Sequence, residues 1–368
     1  MAGFPFMRQA EAFLSSLPFI LLLAVFILPC PMSAAAKPRP AIAFVHLLLP
    51  PGGEPHASPA GWIGSLDRAR DTLESLRIPT IVSSASPGNA EDLNELSEMD
   101  PEVLITTSPL LYAAACDVAK RSPNTVLFAC TDETVHDNMS GFQARTYEAH
   151  YLAGLIAGAL SEDGVIGYLA NDPYQSKASR LRNANAFTLG AQKSKAAIRV
   201  LYAPGNDPDE ELKTLIAAGA DIVDLERALP SLVERLREHS VRYVGTAGRT
   251  VDPLCLAAPE WEWSNAFGDL LTQVRFGIWR PRNVSYGIKE GVVGLSPFGP
   301  AVPETVRVRV REAKEAIRNG ASPFEGPVRD VSGSLRIAEG SVPDDATLRG
   351  MDWRVQGLEP LPLTPDGL

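Results

Sequence analysis

Little in this sequence points to bond-making chemistry. It has four cysteines in 368 residues, and no two have CxxC spacing, which argues against zinc-ribbon and thioredoxin-type sites. The five histidines, His46, His56, His136, His150 and His239, are scattered, and none has a second ligand at i+3 or i+4 in a zinc-like arrangement. GxSxG, HExxH, GxxxxGK[ST] and GxGxxG are all missing. There is no basic block, and the formal net charge is −10, which argues against nucleic acid as a partner. Asp207-Pro-Asp-Glu-Glu211 has the charge of a calcium loop but not its glycine or spacing, so it reads as the acidic start of a helix. No cofactor and no metal are implied.

What is present is an ordinary soluble composition, 45% hydrophobic and 21% charged, at a length that suggests two domains. Residues 1–36 read as a secretory signal: Arg8, an apolar run from Leu17 to Leu28, and the small residues Ala34 to Ala36. That run is shorter than the roughly 20 residues of a spanning helix, and no later segment comes close. Two fates are open: cleavage near Ala36, or a lipid anchor at Cys30, which follows Pro29 rather than a small residue. Either places the protein in the periplasm or on the cell-envelope exterior. Beyond the leader, Cys116 and Cys130 could pair in an oxidising compartment or stay as buried thiols, and Cys255 stands apart.

From Ala41 onward short strands alternate with helical patterns. Strands are expected at 41–45, 78–82, 103–106, 126–130, 165–169, 198–202, 222–225 and 241–244. Helices are expected from Ser65, over Pro109 to Arg121, from Tyr147, and at 176–193, 209–218 and 228–239. Thr107-Ser108-Pro109 supplies a hydroxyl cap and a proline at the first helical position. The helix from Tyr147 carries Ala153, Gly154, Ala157 and Gly158, small residues that allow close packing. Pro259 to Trp279 reads as one helix, residues 306–317 as another, and Gly333-Ser334 as a hairpin. The fold class is α/β, with two doubly wound Rossmann-like lobes and a ligand crevice at the carboxyl ends of their strands.

Polar and aromatic residues collect at those strand ends. Trp62 lies before the first helix, Thr107 and Ser108 after one strand, Asp132 after the next, Asn171 and Asp172 after a fourth, and Trp261 and Trp263 further on. Together they suit a flat, polar small molecule. His136-Asp137 reads as a solvated loop.

These stretches, taken in order, resemble the basic membrane protein family of bacterial substrate-binding proteins, which includes the Med and PnrA-type nucleoside receptors. The resemblance runs through Gly61-Trp62, the segments 128–132 and 147–158, Ile166 to Tyr168, 185–190, Gly219 to Asp221, Gly291 to Val293, Pro297 to Pro300, Phe324 to Pro327 and Trp353 to Gly357. It implies the type I periplasmic-binding-protein architecture, with three crossovers expected near Phe142, Leu256 and Ser285. Lobe 1 is then 41–142 plus 257–285, and lobe 2 is 143–256 plus 286–368. It also implies a monomeric, non-enzymatic receptor that holds a purine nucleoside or related base and delivers it to an ABC permease. In that scheme Trp62 stacks on the base and Asp132 bonds the sugar. Three family features are replaced: the Asn and His after Gly-Trp, the carboxylate of Gly-x-Asp (here Gly245-Thr-Ala247), and a Lys near the second crossover. The substitutions favour a bare nucleobase or another flat heterocycle stacked between tryptophans. A periplasmic sensor on the same fold is the alternative role; a nucleoside-processing enzyme using Asp132 and His136 is a third.

Overall fold

The computed structural model describes residues 40–48, 61–86, 91–131, 133, 136–172, 175–245 and 252–362. The leader with Cys30, the ligand candidate Asp132 and the Thr246-Ala247 pair lie outside the described residues.

The first part of the chain runs β1 (Ile42–Leu47), α1 (Trp62–Ser75), β2 (Thr80–Ala85), α2 (Glu91–Glu98), β3 (Val103–Thr106), α3 (Tyr112–Arg121), β4 (Val126–Cys130) and β5 (Met139–Ala144). The second part continues with α4 (Tyr147–Leu160), β6 (Val165–Leu169), α5 (Lys177–Ser194), β7 (Arg199–Ala203), α6 (Pro208–Ala217), β8 (Ile222–Leu225), α7 (Pro230–Glu238) and β9 (Arg242–Gly245). The last part holds β10 (Cys255–Ala257), β11 (Pro259–Trp261), α8 (Ser264–Arg275), β12 (Val284–Tyr286), β13 (Val293–Leu295), α9 (Glu304–Arg318), β14 (Val328–Arg329), β15 (Leu335–Ile337), α10 (Asp345–Arg349) and β16 (Leu358–Pro360).

Two parallel six-stranded sheets result, in the orders β12-β5-β4-β3-β1-β2 and β10-β9-β8-β6-β7-β16. Each carries helices on its faces, which makes two α/β lobes. Strands such as Ile42–Leu47 and Ile222–Leu225 are buried throughout, as a covered parallel sheet requires. The strand order reverses beside β1 in one sheet and beside β6 in the other, and crevices open at the carboxyl ends there. No described helix is long and apolar enough to cross a membrane.

Several elements differ from their sequence signatures. Phe142 and Ser285, expected at crossovers, are inside β5 and β12, which pair with each other in the first sheet, and Leu256 is inside β10 of the second. The strand Met139–Ala144 is hidden by Ser140 and Gly141. Glycine is required there, because a Cβ at 141 would lie 2.6 Å from the Thr131 carbonyl oxygen. The first two positions of the expected strand at 78–82 instead end α1, with the Ile78 N–H bonded to the Leu73 carbonyl at 3.0 Å. Pro259 to Trp279 is not one helix. Its first three residues form β11, antiparallel to β13, and α8 starts only at Ser264. Cys116, Cys130 and Cys255 are all free thiols.

Other local readings hold. Ser108 caps the short 3-10 turn Pro109–Leu111, its Oγ accepting from the Leu110 N–H at 3.3 Å. Asp207 caps α6 by accepting from the Glu210 N–H at 3.2 Å. The small residues of α4 allow it to approach α5 so closely that a Cβ on Gly154 would meet the Phe187 carbonyl oxygen at 2.1 Å. One on Gly158 would meet that of Ala191 at 2.2 Å.

Candidate functional site

A cavity of about 260 Å³ lies between the two switch-point crevices. The first lobe lines it with Trp62 after β1, Pro109 and Tyr112 after β3, Cys130, Thr131 and Glu133 at the end of β4, and Gln143 and Ala144 at the end of β5. Across from these stand Asp172 after β6 and the start of α5: Gln175, Ser176 and Ser179. Thr146 and Trp261 close it where the chain crosses between the sheets.

The aromatic wall is rigid. Trp62 is stacked on Phe142 (6.4 Å, 16°) and meets Trp261 edge-on (5.9 Å, 86°). Both indole N–H groups that face this region are committed to the protein: Trp62 Nε1 donates to the Thr107 carbonyl at 2.8 Å, and Trp261 Nε1 to Thr146 Oγ1 at 3.2 Å. What these rings offer the cavity is therefore hydrocarbon and π surface, not a donor.

The opposite wall is polar and tied to a buried network. Gln175 Nε2 donates to Asp172 Oδ2 at 3.0 Å, while its Oε1 accepts from Asn183 Nδ2 at 2.8 Å and from Ser179 Oγ at 3.0 Å. With Oε1 accepting from two donors, the orientation of the amide is set. Asn183 Nδ2 also lies 3.4 Å from Glu226 Oε1, which accepts from the Tyr168 hydroxyl at 2.8 Å. Glu226 Oε2 has no partner among the described residues. Burial pushes the Glu226 carboxyl up to about 7, with Asp172 and Asp224 adding to the rise. Beside it, His150 Nδ1 is 3.1 Å from Asp224 Oδ2, and both side chains are buried. Burial opposes charging the imidazole, but Asp224 outweighs it and holds the His150 pKa above its ordinary value. Among the described lining residues none is Lys, Arg or His, and two are carboxylates, Glu133 and Asp172.

Three of the residues expected from the sequence, Trp62, Asp172 and Trp261, face this cavity; Thr107, Ser108, Asn171 and Trp263 do not. Thr107 is fully buried: its Oγ1 donates to the Val45 carbonyl at 3.1 Å and contacts His46 Nδ1 at 3.2 Å. Ser108 serves as the cap described above. Asn171 joins the loops after β6 and β8, bonding both the carbonyl and the N–H of Arg227 at 2.8 and 2.9 Å. Trp263 is wholly buried, stacked on Phe267 (5.5 Å, 10°) and edge-on to Trp62 (5.3 Å). It supports the wall from behind. His136 lies in the loop before β5, away from the cavity lining. Gln175 and Ser176 were missed; the available signal was the Ser176 cap at the start of α5, whose Oγ accepts from the Ser179 N–H at 3.1 Å.

The family model for PnrA-like ABC transporter substrate-binding proteins matches residues 66–217. A purine-binding protein of Brucella abortus is 28% identical over 344 residues, covering 89% of this chain and 95% of that protein. Over that segment the chain is similar to the PnrA-like family. A protein of Haloferax volcanii provisionally named an ABC transporter glucose-binding protein is also 28% identical, over 77% of this chain and 78% of its own. Among solved structures, a solute-binding protein of an ABC transporter system from Conexibacter woesei superposes with a TM-score of 0.60 at 17% identity, over 76% of this chain and 97% of that one. A transcriptional activator of the comK gene from Bacillus halodurans does so at 0.63 and 14%, over 76% and 98%. These structural likenesses place the chain in the type I periplasmic-binding-protein fold. Proteins of this family bind small molecules for delivery to an ABC permease, which is a non-enzymatic role.

Proposed function

We propose that this protein is an exported receptor that captures a purine-like heterocycle, a nucleobase or small nucleoside, between its lobes and hands it to its permease. The observation that carries this reading is the pairing of two immobilised indole surfaces with a polar edge of Asp172 and Gln175 across a cavity of about 260 Å³. That is just under the ~300–1,000 Å³ of sites for drug-sized ligands, so one or two fused rings fit better than a nucleotide. A donor and an acceptor side by side suit the edge of a base. The carboxylates on the lining disfavour anionic ligands. The lobe division that goes with this role follows the two sheets, with crossovers at 145–146, 258–263 and 287–292. The purine-binding relative supports the ligand class. The glucose-named relative favours a sugar as the competing ligand, since an indole face also accepts a pyranose.

Calorimetry with adenine, guanine, hypoxanthine, their nucleosides and D-glucose separates these. A purine at 100 times its Kd should add about 2.7 kcal/mol to stability. Trp62→Ala and Trp261→Ala should each weaken its binding by about 1–3 kcal/mol, the range of aromatic stacking on a base. Binding of glucose and of no purine overturns the ligand class; unchanged affinity in Trp62→Ala removes the stacking role.

A further inference from the structure

Resting on the assignment of Asp172 and Gln175 to the ligand's polar edge, we propose that Asn183 is the positioning residue that decides which atoms of that edge the ligand meets. Asn183 is absent from the cavity lining and only 1% exposed. It lies in the second turn of α5, and Gln175, Ser179 and Asn183 follow one another in steps of four. That spacing makes a polar stripe leading from the cavity into the lobe, where the next step is the buried Phe187. The two ends of a primary amide, oxygen and nitrogen, are nearly equal in size. Hydrogen bonding alone therefore chooses between its two orientations.

The stripe is polarised in one direction. Glu226 Oε1 accepts from the Tyr168 hydroxyl at 2.8 Å, so it shows Asn183 an acceptor whether or not the carboxyl carries a proton on Oε2. That fixes Asn183 Nδ2 between two oxygens, 3.4 Å from Glu226 Oε1 and 2.8 Å from Gln175 Oε1. With its oxygen held at that end, Gln175 places its nitrogen 3.0 Å from Asp172 Oδ2. Ser179 Oγ, 3.0 Å from Gln175 Oε1, does not make the choice by itself. A hydroxyl rotates to donate or accept, and Arg182 Nη2 stands 3.5 Å from it, at the limit of a hydrogen bond. Asp172 favours the same orientation from the cavity side, but its oxygens are the ones that N–H groups of a ligand would take. The fixed reference is therefore the buried end. A carboxylate at 183 would accept only, the Gln175 amide would turn over, and the edge would offer two acceptors in place of a donor beside an acceptor. Selection between ligand edges is then set by a residue that never touches the ligand.

The test is a double-mutant cycle read as selectivity. Calorimetry gives Kd values for adenine and hypoxanthine, whose edges carry donor and acceptor in opposite order, with wild type, Asn183→Asp, Gln175→Ala and the double variant. Asn183→Asp should change the ratio of the two Kd values by about tenfold or more. Adding Asn183→Asp to Gln175→Ala should move the ratio no further, because the effect passes through the amide. A residue that only supports the fold would weaken both ligands by one factor, and one acting independently of Gln175 would add its effect to the other; either result overturns the proposal. A second readout needs no ligand. The side-chain amide NMR signal of Gln175, identified by its loss in Gln175→Ala, should move in Asn183→Asp and in Asn183→Leu, which adds no charge beside Glu226. A signal unmoved in the folded variants overturns the proposal. If neither purine binds, the purine assignment falls and the Gln175 signal alone decides the role of Asn183.

Discussion

Replacing Glu226 by Gln is expected to stabilise the protein by about 3 kcal/mol at pH 8, by about 1.4 kcal/mol at pH 5.5 and hardly at all below about pH 4. The Glu226 carboxyl is pushed up to about 7 chiefly by burial, against an ordinary value of 4.5. Between those two values the folded state holds a proton that the unfolded chain has released, so stability is lost steadily as pH rises from 4.5 to about 7 and is level in this group's contribution beyond that. The full effect is near 1.4 kcal/mol per unit over about 2.5 units, or roughly 3 kcal/mol. His150 acts in the same direction. Its folded value is raised by Asp224 above the ordinary 6.5, so its contribution is complete below 6.5 and is lost as pH rises through the folded value. The wild-type protein should therefore be most stable on the acidic side of neutrality. An amide at 226 keeps an oxygen for the Tyr168 hydroxyl and cannot ionise, so Glu226→Gln should flatten most of this dependence. Urea midpoints from about pH 4 to about pH 8 measure it. A loss between pH 4.5 and 7 that is equal in wild type and variant would show that Glu226 is ionised in the fold.

Gly154→Val should abolish soluble expression, and even Gly154→Ala should lower stability by about 2–3 kcal/mol. A methyl group at 154 lands 2.1 Å from the backbone oxygen of Phe187, and one on Gly190 would land 2.1 Å from that of Tyr151. Backbone on backbone has no rotamer to relax into, so the two helices must separate, and with them the tightly packed centre of the second lobe. Gly268→Ala provides the contrast. It too replaces a glycine in a helix, but nothing lies within 4 Å of the added carbon. There the change should stabilise by about 0.5–1 kcal/mol through helix propensity alone. A destabilised Gly268→Ala, or an unaffected Gly154→Ala, would contradict the close approach of α4 and α5.

The alternation of apolar runs and amphipathic helices was enough to expect two parallel sheets, because strands buried on both faces leave unbroken hydrophobic stretches. Strands stabilised by tertiary context were hidden. Met139–Ala144 has the composition of a turn, and only its central place between β4 and β12 makes it a strand. The eight-residue helix Glu91–Glu98 has two buried leucines, too few for its periodicity to stand out. At the site, the strand-end rule locates the crevice but not which of several adjacent polar residues faces it. Ser108 and Pro109 are neighbours; the serine closes a turn and the proline lines the cavity. Asn171 and Asp172 divide in the same way. The buried group of His150, Asp224 and Glu226 has no local signature, since α4 and β8 bring together residues 74 positions apart.

The strand orders bear on how the chain reaches its folded state. β12 lies at one margin of the first sheet, and β10 and β16 lie at both margins of the second, all three contributed after residue 254. A chain interrupted before that point would leave β5, β7 and β9 with unpaired backbone along their flanks, a ready template for association with other chains. The irregular last third thus acts as a built-in seal. Neither lobe can finish before it arrives, and a nascent chain is vulnerable to aggregation until its final strands have docked.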